Sequence, residues 1–385
     1  MKKKKIIIMF LVALIASVYA EKLKVTPMEN ISIGSGFGYD INKELNGSVQ
    51  YSVPFTSYNF KTKGKAGGGL ASDKAISPEE MLEQSSSVLK ANASSIGETR
   101  EKRQLSSSKP LIIGTEKIGI IGEEQASYGI ENIINILFAN ASINDRSLFA
   151  VCKGKAVDIL TIKVDGYPSS ADYMEGMIQH AKAYNFLSSE YTLLNMYISL
   201  ASEGRNLVLP YLEIKDKKIA FAGMALFKGD KMVCALPMKE SKIMNMLREK
   251  EVKGILSLQE ASDKYINYDA VVKRKVECNK RGEKYEFNIK LDFQGDIIEN
   301  TLYKDMKKEN EKKFEELMGK KIEKMCNDFL DNMKNVYKVD CLNLGMYAVA
   351  KYGREMGVDW NKEVSNADIK ISVKVKIDKM GIGQY

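Results

Sequence analysis

The first twenty residues carry the sharpest contrast between polar and apolar positions in the chain. Four consecutive lysines follow the initial methionine: Lys2, Lys3, Lys4 and Lys5. Fifteen almost wholly apolar residues, 6–20, come next. A basic flank before an apolar stretch is typical of an export signal. As a helix this stretch reaches about 22 Å, short of the ~30 Å hydrocarbon core. We therefore predict a signal peptide or an N-terminal membrane anchor, with the remaining chain outside the cytoplasm.

Residues 24–55 show the alternation of a β-strand. Apolar positions alternate on both sides of Asn46-Gly47, the strongest short-range signal for a β-hairpin. The glycines at 34–38 lack the G-x-G-x-x-G spacing of a nucleotide loop, and no helical pattern follows them. A twisted or bulged strand is therefore predicted there.

From residue 77 to residue 250 the apolar period changes repeatedly between helical and extended. Ser77, Pro78 and Glu80 supply an N-cap, a first-turn proline and a capping-box glutamate, so a helix is predicted from Ser77 to about Gly97. Further helices are predicted at about 130–138, 156–160, 172–187, 190–203 and 239–250. Strands are predicted at 112–113, 118–121, 148–152, 207–214, 219–227 and 232–236, the last three as a meander.

The C-terminal third contains an antiparallel pair, 271–278 and 285–293, followed by a long helix at about 301–336. The helix is expected to bury one apolar stripe and to leave its lysines and glutamates in solvent. The predicted stripe consists of Phe314, Leu317, Ile322, Met325, Phe329, Met333 and Val336. A short helix at about 344–354 and a terminal strand at 367–377 complete the pattern.

Strands and helices are mixed without a regular βαβ rhythm, which predicts an α+β fold. A chain of 385 residues is too long for one compact core. We expect an N-terminal α+β domain at 21–204, a middle meander-and-helix domain at 205–262, and a C-terminal α+β domain at 263–385. Each would consist of a small antiparallel or mixed sheet with packed helices.

Composition excludes several classes of protein. The chain is 44% hydrophobic and 28% charged, as in ordinary globular proteins. The net charge of +8 halves once the four N-terminal lysines are discounted, so nucleic acid is not a predicted partner. The five cysteines have neither metal-ligand nor redox spacing and are expected in cores, with Cys326 and Cys341 the one pair worth testing for contact.

No catalytic constellation is visible in the sequence. His180 is the only histidine, and the metal, P-loop and nucleophile-elbow motifs are missing. The acidic pairs at 79–80, 123–124 and 315–316 are explained by helix starts and solvated faces. We therefore predict no enzyme, no cofactor and no metal site, although a carboxylate pair assembled only in three dimensions stays open.

Several short segments are each weak signals, but their common order and spacing make them a specific pattern. The first strand ends in Gly-x-Gly-x-Asp, and further segments occur at 122–130, 153–160, 209–231 and 338–360. In these segments the chain resembles the Ger(x)C family of spore germination proteins, the C subunits of nutrient germinant receptors. The motif positions with a structural or interaction role are Gly36, Gly38, Asp40, Gly223, Phe227, Lys231, Asp340, Gly345 and Trp360.

This resemblance implies a function without catalysis. It implies a three-domain α+β protein on the outer face of the inner spore membrane, beside an integral membrane permease-like B-type subunit and a larger A-type subunit. It also implies that the protein acts in germination through contacts with these partners and with the membrane, and that it needs no cofactor.

The chain departs from the family pattern at two points. The family usually carries a lipobox cysteine, but no cysteine precedes Cys152 here. The N-terminal apolar segment or the partner subunits are therefore expected to hold the protein at the membrane. Asn343 stands where a glycine is common, so the geometry of the turn after Asp340 is left open.

A second hypothesis comes from another class of function. An exported protein could bind a small nutrient in a mostly apolar cleft between domains. Trp360 and the tyrosine-rich helices are the candidates to line such a cleft, although packing in a core explains them as well.

Overall fold

The computed structural model describes residues 30–45, 47–58, 87–354 and 357–380. The export segment and the helix start at Ser77 lie outside these residues. Where the helix from Ser77 was expected to continue, Ser87–Leu89 and Asn92–Ala93 are strands instead. Within the described residues a helix begins at Ile96, where the Ser95 side chain accepts the Glu98 N–H. Its signal in the sequence is Ser95 with Glu98 three residues later, the spacing of a capping box, which was not among the predicted helix starts.

Two sheets organise the described residues. The strands of the first, in chain order, are β1 (Ser32–Lys43), β2 (Val49–Ser52), β3 (Phe55–Ser57), β4 (Ser87–Leu89), β5 (Asn92–Ala93), β6 (Leu111–Ile112), β7 (Ile118–Gly122), β8 (Leu148–Cys152), β9 (Val208–Lys215), β10 (Lys218–Lys228) and β11 (Lys231–Pro237). The second contains β12 (Glu251–Ala261), β13 (Lys264–Arg281), β14 (Lys284–Asn300) and β15 (Asp368–Met380), in that order.

The described helices lie between these strands in the chain. They are α1 (Ile96–Leu105), α2 (Glu123–Tyr128), α3 (Glu131–Phe138), α4 (Ala156–Leu160), α5 (Ser170–Ala181), α6 (Leu193–Ala201), α7 (Met238–Arg248), α8 (Lys308–Asn332), α9 (Leu344–Tyr352) and α10 (Trp360–Asn366). None of the described helices is both long enough and apolar enough to cross a bilayer.

The centre of the first sheet is parallel. β1, β7, β8 and β9 are neighbours that run in the same direction. Every residue of β7 and β8 is buried, as expected for parallel strands covered on both faces. Helices α2 and α3 connect β7 to β8, and α4, α5 and α6 connect β8 to β9. The chain thus contains βαβ connections that the sequence pattern did not indicate, within a mixed α+β fold that confirms the predicted class.

The predicted hairpin and meander are both present. β1 and β2 pair antiparallel around a turn in which Gly47 adopts φ +82°. β9, β10 and β11 form the expected antiparallel meander. This meander continues the first sheet through β8, so the described strands form two sheets and not three. The boundaries of the three domains, at 204 and 262, stay a prediction.

The second sheet is longer than predicted. β12 was not predicted, although Val252, Gly254 and Leu256 are buried at alternate positions, as in a half-buried strand. β13 and β14 extend well beyond the predicted pair, and β15 pairs parallel to β14 at the edge. On α3, which covers most of the helix predicted at 130–138, Ile133, Ile134 and Leu137 are buried and Phe138 is exposed.

The long helix buries a shifted stripe. Its buried side chains are Phe314, Met318, Ile322, Cys326, Phe329 and Leu330. Leu317 and Met325 are half-buried, and Val336 is exposed, contrary to the predicted stripe. After Asn332 the chain forms a π-helical turn, Met333–Tyr337, whose wider winding rotates Val336 away from the sheet. The charged face is only partly solvated, since Lys321 donates to the Ser257 carbonyl and Glu315 accepts from the Ile377 N–H.

Candidate functional site

Asp40 closes the first family motif by capping a distant helix. Its carboxylate is 4% exposed and accepts the N–H groups of Ala156 and Val157 at 2.6 and 3.0 Å. These are the first residues of α4, where Lys155 provides no side-chain cap. Asp40 therefore satisfies helix donors that a local Ser or Asp normally satisfies. Burial raises the pKa of Asp40, and the two backbone hydrogen bonds oppose that rise.

The glycines of the same motif allow helices to pack directly on β1. A Cβ atom at Gly38 would lie 2.6 Å from Pro54 Cγ and 2.9 Å from Ala156 Cβ. A Cβ atom at Gly36 would lie 3.0 Å from Ala171 Cβ on α5. Both positions thus need glycine so that the helices can approach β1 closely, and the motif forms the packing surface for α4 and α5.

The middle motif follows β10 into its turn. A Cβ atom at Gly223 would lie 1.8 Å from the Leu236 carbonyl oxygen, at a register shift where β10 bulges. Phe227 is fully buried, whereas Lys231 is exposed at the start of β11. The carbonyl of Asp230 in the turn accepts the Ile130 N–H, so the turn packs against the link between α2 and α3.

The third group of motif residues forms a joint around the loop before α9. Asp340 is fully buried, and its carboxylate accepts the N–H groups of Leu342 and Gly345 at 3.2 and 2.8 Å. A Cβ atom at Gly204, where φ is +73°, would lie 2.4 Å from the Gly345 carbonyl carbon. Trp360 donates its indole N–H to Glu203 at 2.9 Å. The joint therefore ties the segment before β9 to the C-terminal part of the chain.

The departure at Asn343 is explained by the same joint. Asn343 adopts the left-handed conformation, φ +55°, which glycine and asparagine tolerate best. Its side-chain oxygen also accepts the Asn206 N–H at 3.0 Å and an Arg248 N–H at 3.2 Å. Asparagine thus keeps the turn that glycine would allow and adds two hydrogen bonds.

Two arginines complete the joint. Arg248 donates to the carbonyls of Cys341 at 2.6 Å and Asn206 at 3.1 Å. Arg274 donates to the carbonyls of Arg248 at 2.6 Å and Leu342 at 3.1 Å. Burial lowers the pKa of Arg274. Neither arginine was predicted as a functional residue, although Arg274 continues the inward alternation of β13 and is recognisable there as a polar side chain at a core position.

His180, Glu123 and Glu124 have different surroundings. His180 is exposed near the end of α5. Glu123 accepts the Tyr211 hydroxyl at 2.7 Å, while Glu124 pairs with Lys43 at 3.3 Å. Within the described residues no group of three potential metal ligands is found.

The cysteines are free, including the pair proposed for testing. All five are unpaired, and Cys326 and Cys341 are both buried, so no disulfide joins them. Among the motif residues, Asp40, Asp340 and Trp360 use their polar groups in hydrogen bonds within the protein.

Two family models match consecutive parts of the chain. A family model described as "Spore germination protein N-terminal domain" matches residues 24–214. A second, "Spore germination B3/ GerAC like, C-terminal", matches residues 222–381. The boundary between them falls near the link of β9 to β10, inside the meander.

Two relatives and one solved structure are similar to this chain over most of its length. The chain is 25% identical to spore germination protein GerQC of Bacillus cereus over 72% of this chain and 77% of that protein. It is 20% identical to spore germination protein YndF of Bacillus subtilis strain 168, over 87% of this chain and 83% of that protein. A crystal structure of the GerBC protein has a similar fold, with a TM-score of 0.52 and 16% identity over 89% of this chain and 97% of that chain. The chain belongs to the Ger(x)C family of spore germination proteins.

Proposed function

We propose that this protein is a non-enzymatic C-type subunit of a nutrient germinant receptor. A role in spore germination follows from the family, because both family models and both relatives are described as spore germination proteins. The finer proposal is that the chain assembles with a permease-like B-type subunit and an A-type subunit on the extracytoplasmic face of the inner spore membrane. The observation that carries it is the tandem match of both family models across nearly the whole chain.

The geometry of the motif residues supports action through contacts. The carboxylate oxygens of Asp40 and Asp340 accept hydrogen bonds from backbone N–H groups inside the protein. Trp360, a candidate to line a nutrient cleft, is 6% exposed and packs 5.4 Å from the Tyr285 ring. These groups hold the fold together, which favours a scaffold that presents surfaces to partner subunits.

Co-purification and germination assays test this function. A tagged chain, extracted from spore membranes in mild detergent, is expected to retain a permease-like subunit and an A-type subunit. Deletion of its gene is expected to abolish the response to one nutrient while responses through other receptors continue. Recovery of the chain without either subunit, together with normal germination of the deletion strain, would contradict the proposal.

We also expect the protein to reach the membrane without a lipid modification. Cys152 is the first cysteine of the chain, so no cysteine is placed for lipobox acylation near the four N-terminal lysines. After metabolic labelling with a fatty-acid analogue, the chain should sediment with membranes and carry no label. A lipobox-bearing protein in the same cells is the positive control. Label on this chain would disprove attachment through the apolar segment alone.

A further inference from the structure

Helix α1 turns an arginine toward the interior. Thr99 and Arg103 are its buried residues, one helical turn apart, and Arg103 is 5% exposed. A helix that packs on a sheet normally places apolar side chains at such positions. The inward face of α1 therefore carries a positive charge where packing alone would favour a hydrophobic residue.

Uncharged acceptors lie around this buried guanidinium. One terminal nitrogen, Nη1, donates to the Val53 carbonyl at 3.0 Å and to the Thr99 hydroxyl at 2.9 Å. The buried Nε has no hydrogen-bond partner. Among the described residues no carboxylate lies within ion-pair distance of Arg103. Burial lowers the pKa of Arg103 to about 10, so it stays protonated at neutral pH.

The groups that act electrostatically on Arg103 do not neutralise it. Tyr39 is a buried phenol whose pKa is raised, so it is uncharged at neutral pH. Arg100 has the same charge as Arg103 and is exposed. Glu116 acts on Arg100, and its Oε2 is used by the Gly114 N–H at 2.8 Å. Buried charges in proteins are usually paired, because an unpaired one is costly.

Both arginines border a cavity of about 440 Å³ between α1 and the first sheet. Its apolar wall consists of Phe37, Phe55, Leu105, Leu111 and Ile113. The Phe37 and Phe55 rings are 5.2 Å apart and tilted. Gln104 and Glu101 also line the cavity. A mostly apolar cavity of this size with a few polar groups is typical of small-molecule sites.

We propose that this cavity binds a small molecule with an apolar body and one anionic group, such as a monocarboxylic acid. The apolar body would lie against the phenylalanines, and the acid would pair with Arg100 and Arg103. Charge-assisted hydrogen bonds to guanidinium groups are among the strongest in proteins. Trp360, the candidate for a nutrient cleft, does not line this cavity, and the proposed binding does not depend on assembly with receptor subunits.

Matched probes test the proposal on the full chain. 1-Naphthoate and 1-naphthamide share one apolar body and differ in charge, and isothermal titration calorimetry measures the affinity of each. The acid is expected to bind at one site about tenfold more tightly than the amide, a difference of about 1.4 kcal/mol. Equal affinities, or no saturable binding of the acid, would overturn the proposal.

Three substitutions identify the site. Arg103→Met is expected to weaken binding of 1-naphthoate by about tenfold and Arg100→Met by about fivefold, with the amide unaffected. Arg100 is exposed, so its variant keeps the test informative if the Arg103 variant does not fold. Arg281→Met, at the exposed end of β13, is the control and should bind as the wild type does. Unchanged affinity in both test variants would overturn the proposal. Arginine-dependent binding to phosphatidylglycerol vesicles without binding of 1-naphthoate would assign the arginines to a lipid surface and would overturn it too.

Discussion

Replacing Phe329 with alanine is expected to lower the free energy of unfolding by about 3–5 kcal/mol. The ring is 2% exposed on the inner stripe of α8, with its centroid 6.3 Å from that of the Tyr337 ring. Truncation removes a large apolar side chain and leaves a cavity that the packed helix can only partly close. Because domains are stable by about 5–15 kcal/mol, the loss is a large share of the total. Equilibrium unfolding in urea, followed by circular dichroism, measures the change.

Lys320→Glu on the same helix is the control. Lys320 is exposed, and the substitution should change stability by less than about 0.5 kcal/mol. Similar losses in the two variants would mean that Phe329 does not carry the packing of α8. If Lys320→Glu leaves stability unchanged but abolishes co-purification with the other receptor subunits, the charged face of α8 is a docking surface.

Local signals in the sequence predicted much of the fold. The β9–β10 turn is marked by Asp216 and Lys217, both of which adopt positive φ, and a polar turn between alternating segments is detectable without tertiary information. β8 and α4 were predicted with the bounds that the structure has, because a buried apolar run and a short helical period are also local.

Elements with few apolar residues were missed or misplaced. α1 buries Thr99 and Arg103, so its inward face has no apolar period to detect. The exposure of Val336 follows from the π-helical turn at Met333–Tyr337, which no local pattern indicated. Upstream of that turn, within regular helix, Met318 and Cys326 are buried in place of Leu317 and Met325. Hydrophobic periodicity assumes regular winding and apolar cores, and it fails where either assumption fails.

The motif positions were recognisable from the sequence, but their roles were not. Gly204 and Gly345 touch across 141 positions of the chain, and Asn206 meets Asn361 across 155. Such contacts depend on how the two sheets come together, which composition and spacing do not encode. The outcome at Asn343 makes the same point, because only its left-handed conformation and its two hydrogen bonds explain why asparagine can replace glycine.

Asp340→Ala is expected to lower the free energy of unfolding by roughly 3–5 kcal/mol. The fully buried carboxylate accepts the N–H groups of Leu342 and Gly345, and both donors lose their partner in the variant. The substitution also removes a negative charge that acts on Arg248 and Arg274. Urea unfolding measures the loss, and limited proteolysis should cut the loop before α9 sooner.

The loss should depend on pH in a defined direction. Burial raises the pKa of Asp340 above the ordinary 3.8. A raised folded-state pKa contributes stability that is fully present below the unfolded pKa and is lost as pH rises through the folded pKa. The difference in the free energy of unfolding between the wild type and Asp340→Ala is therefore expected to be larger in mild acid than at neutral pH. If this difference becomes smaller in acid, the carboxylate is charged and well paired in the folded protein.

Two further variants separate the carboxylate from the rest of the joint. Asn343→Gly keeps the left-handed turn but loses two hydrogen bonds, so it should cost only about 1–2 kcal/mol. Asp331→Ala, exposed near the end of α8, should change stability by less than about 0.5 kcal/mol. If Asp340→Ala is no more costly than Asp331→Ala, the loop before α9 does not hold the two parts of the chain together.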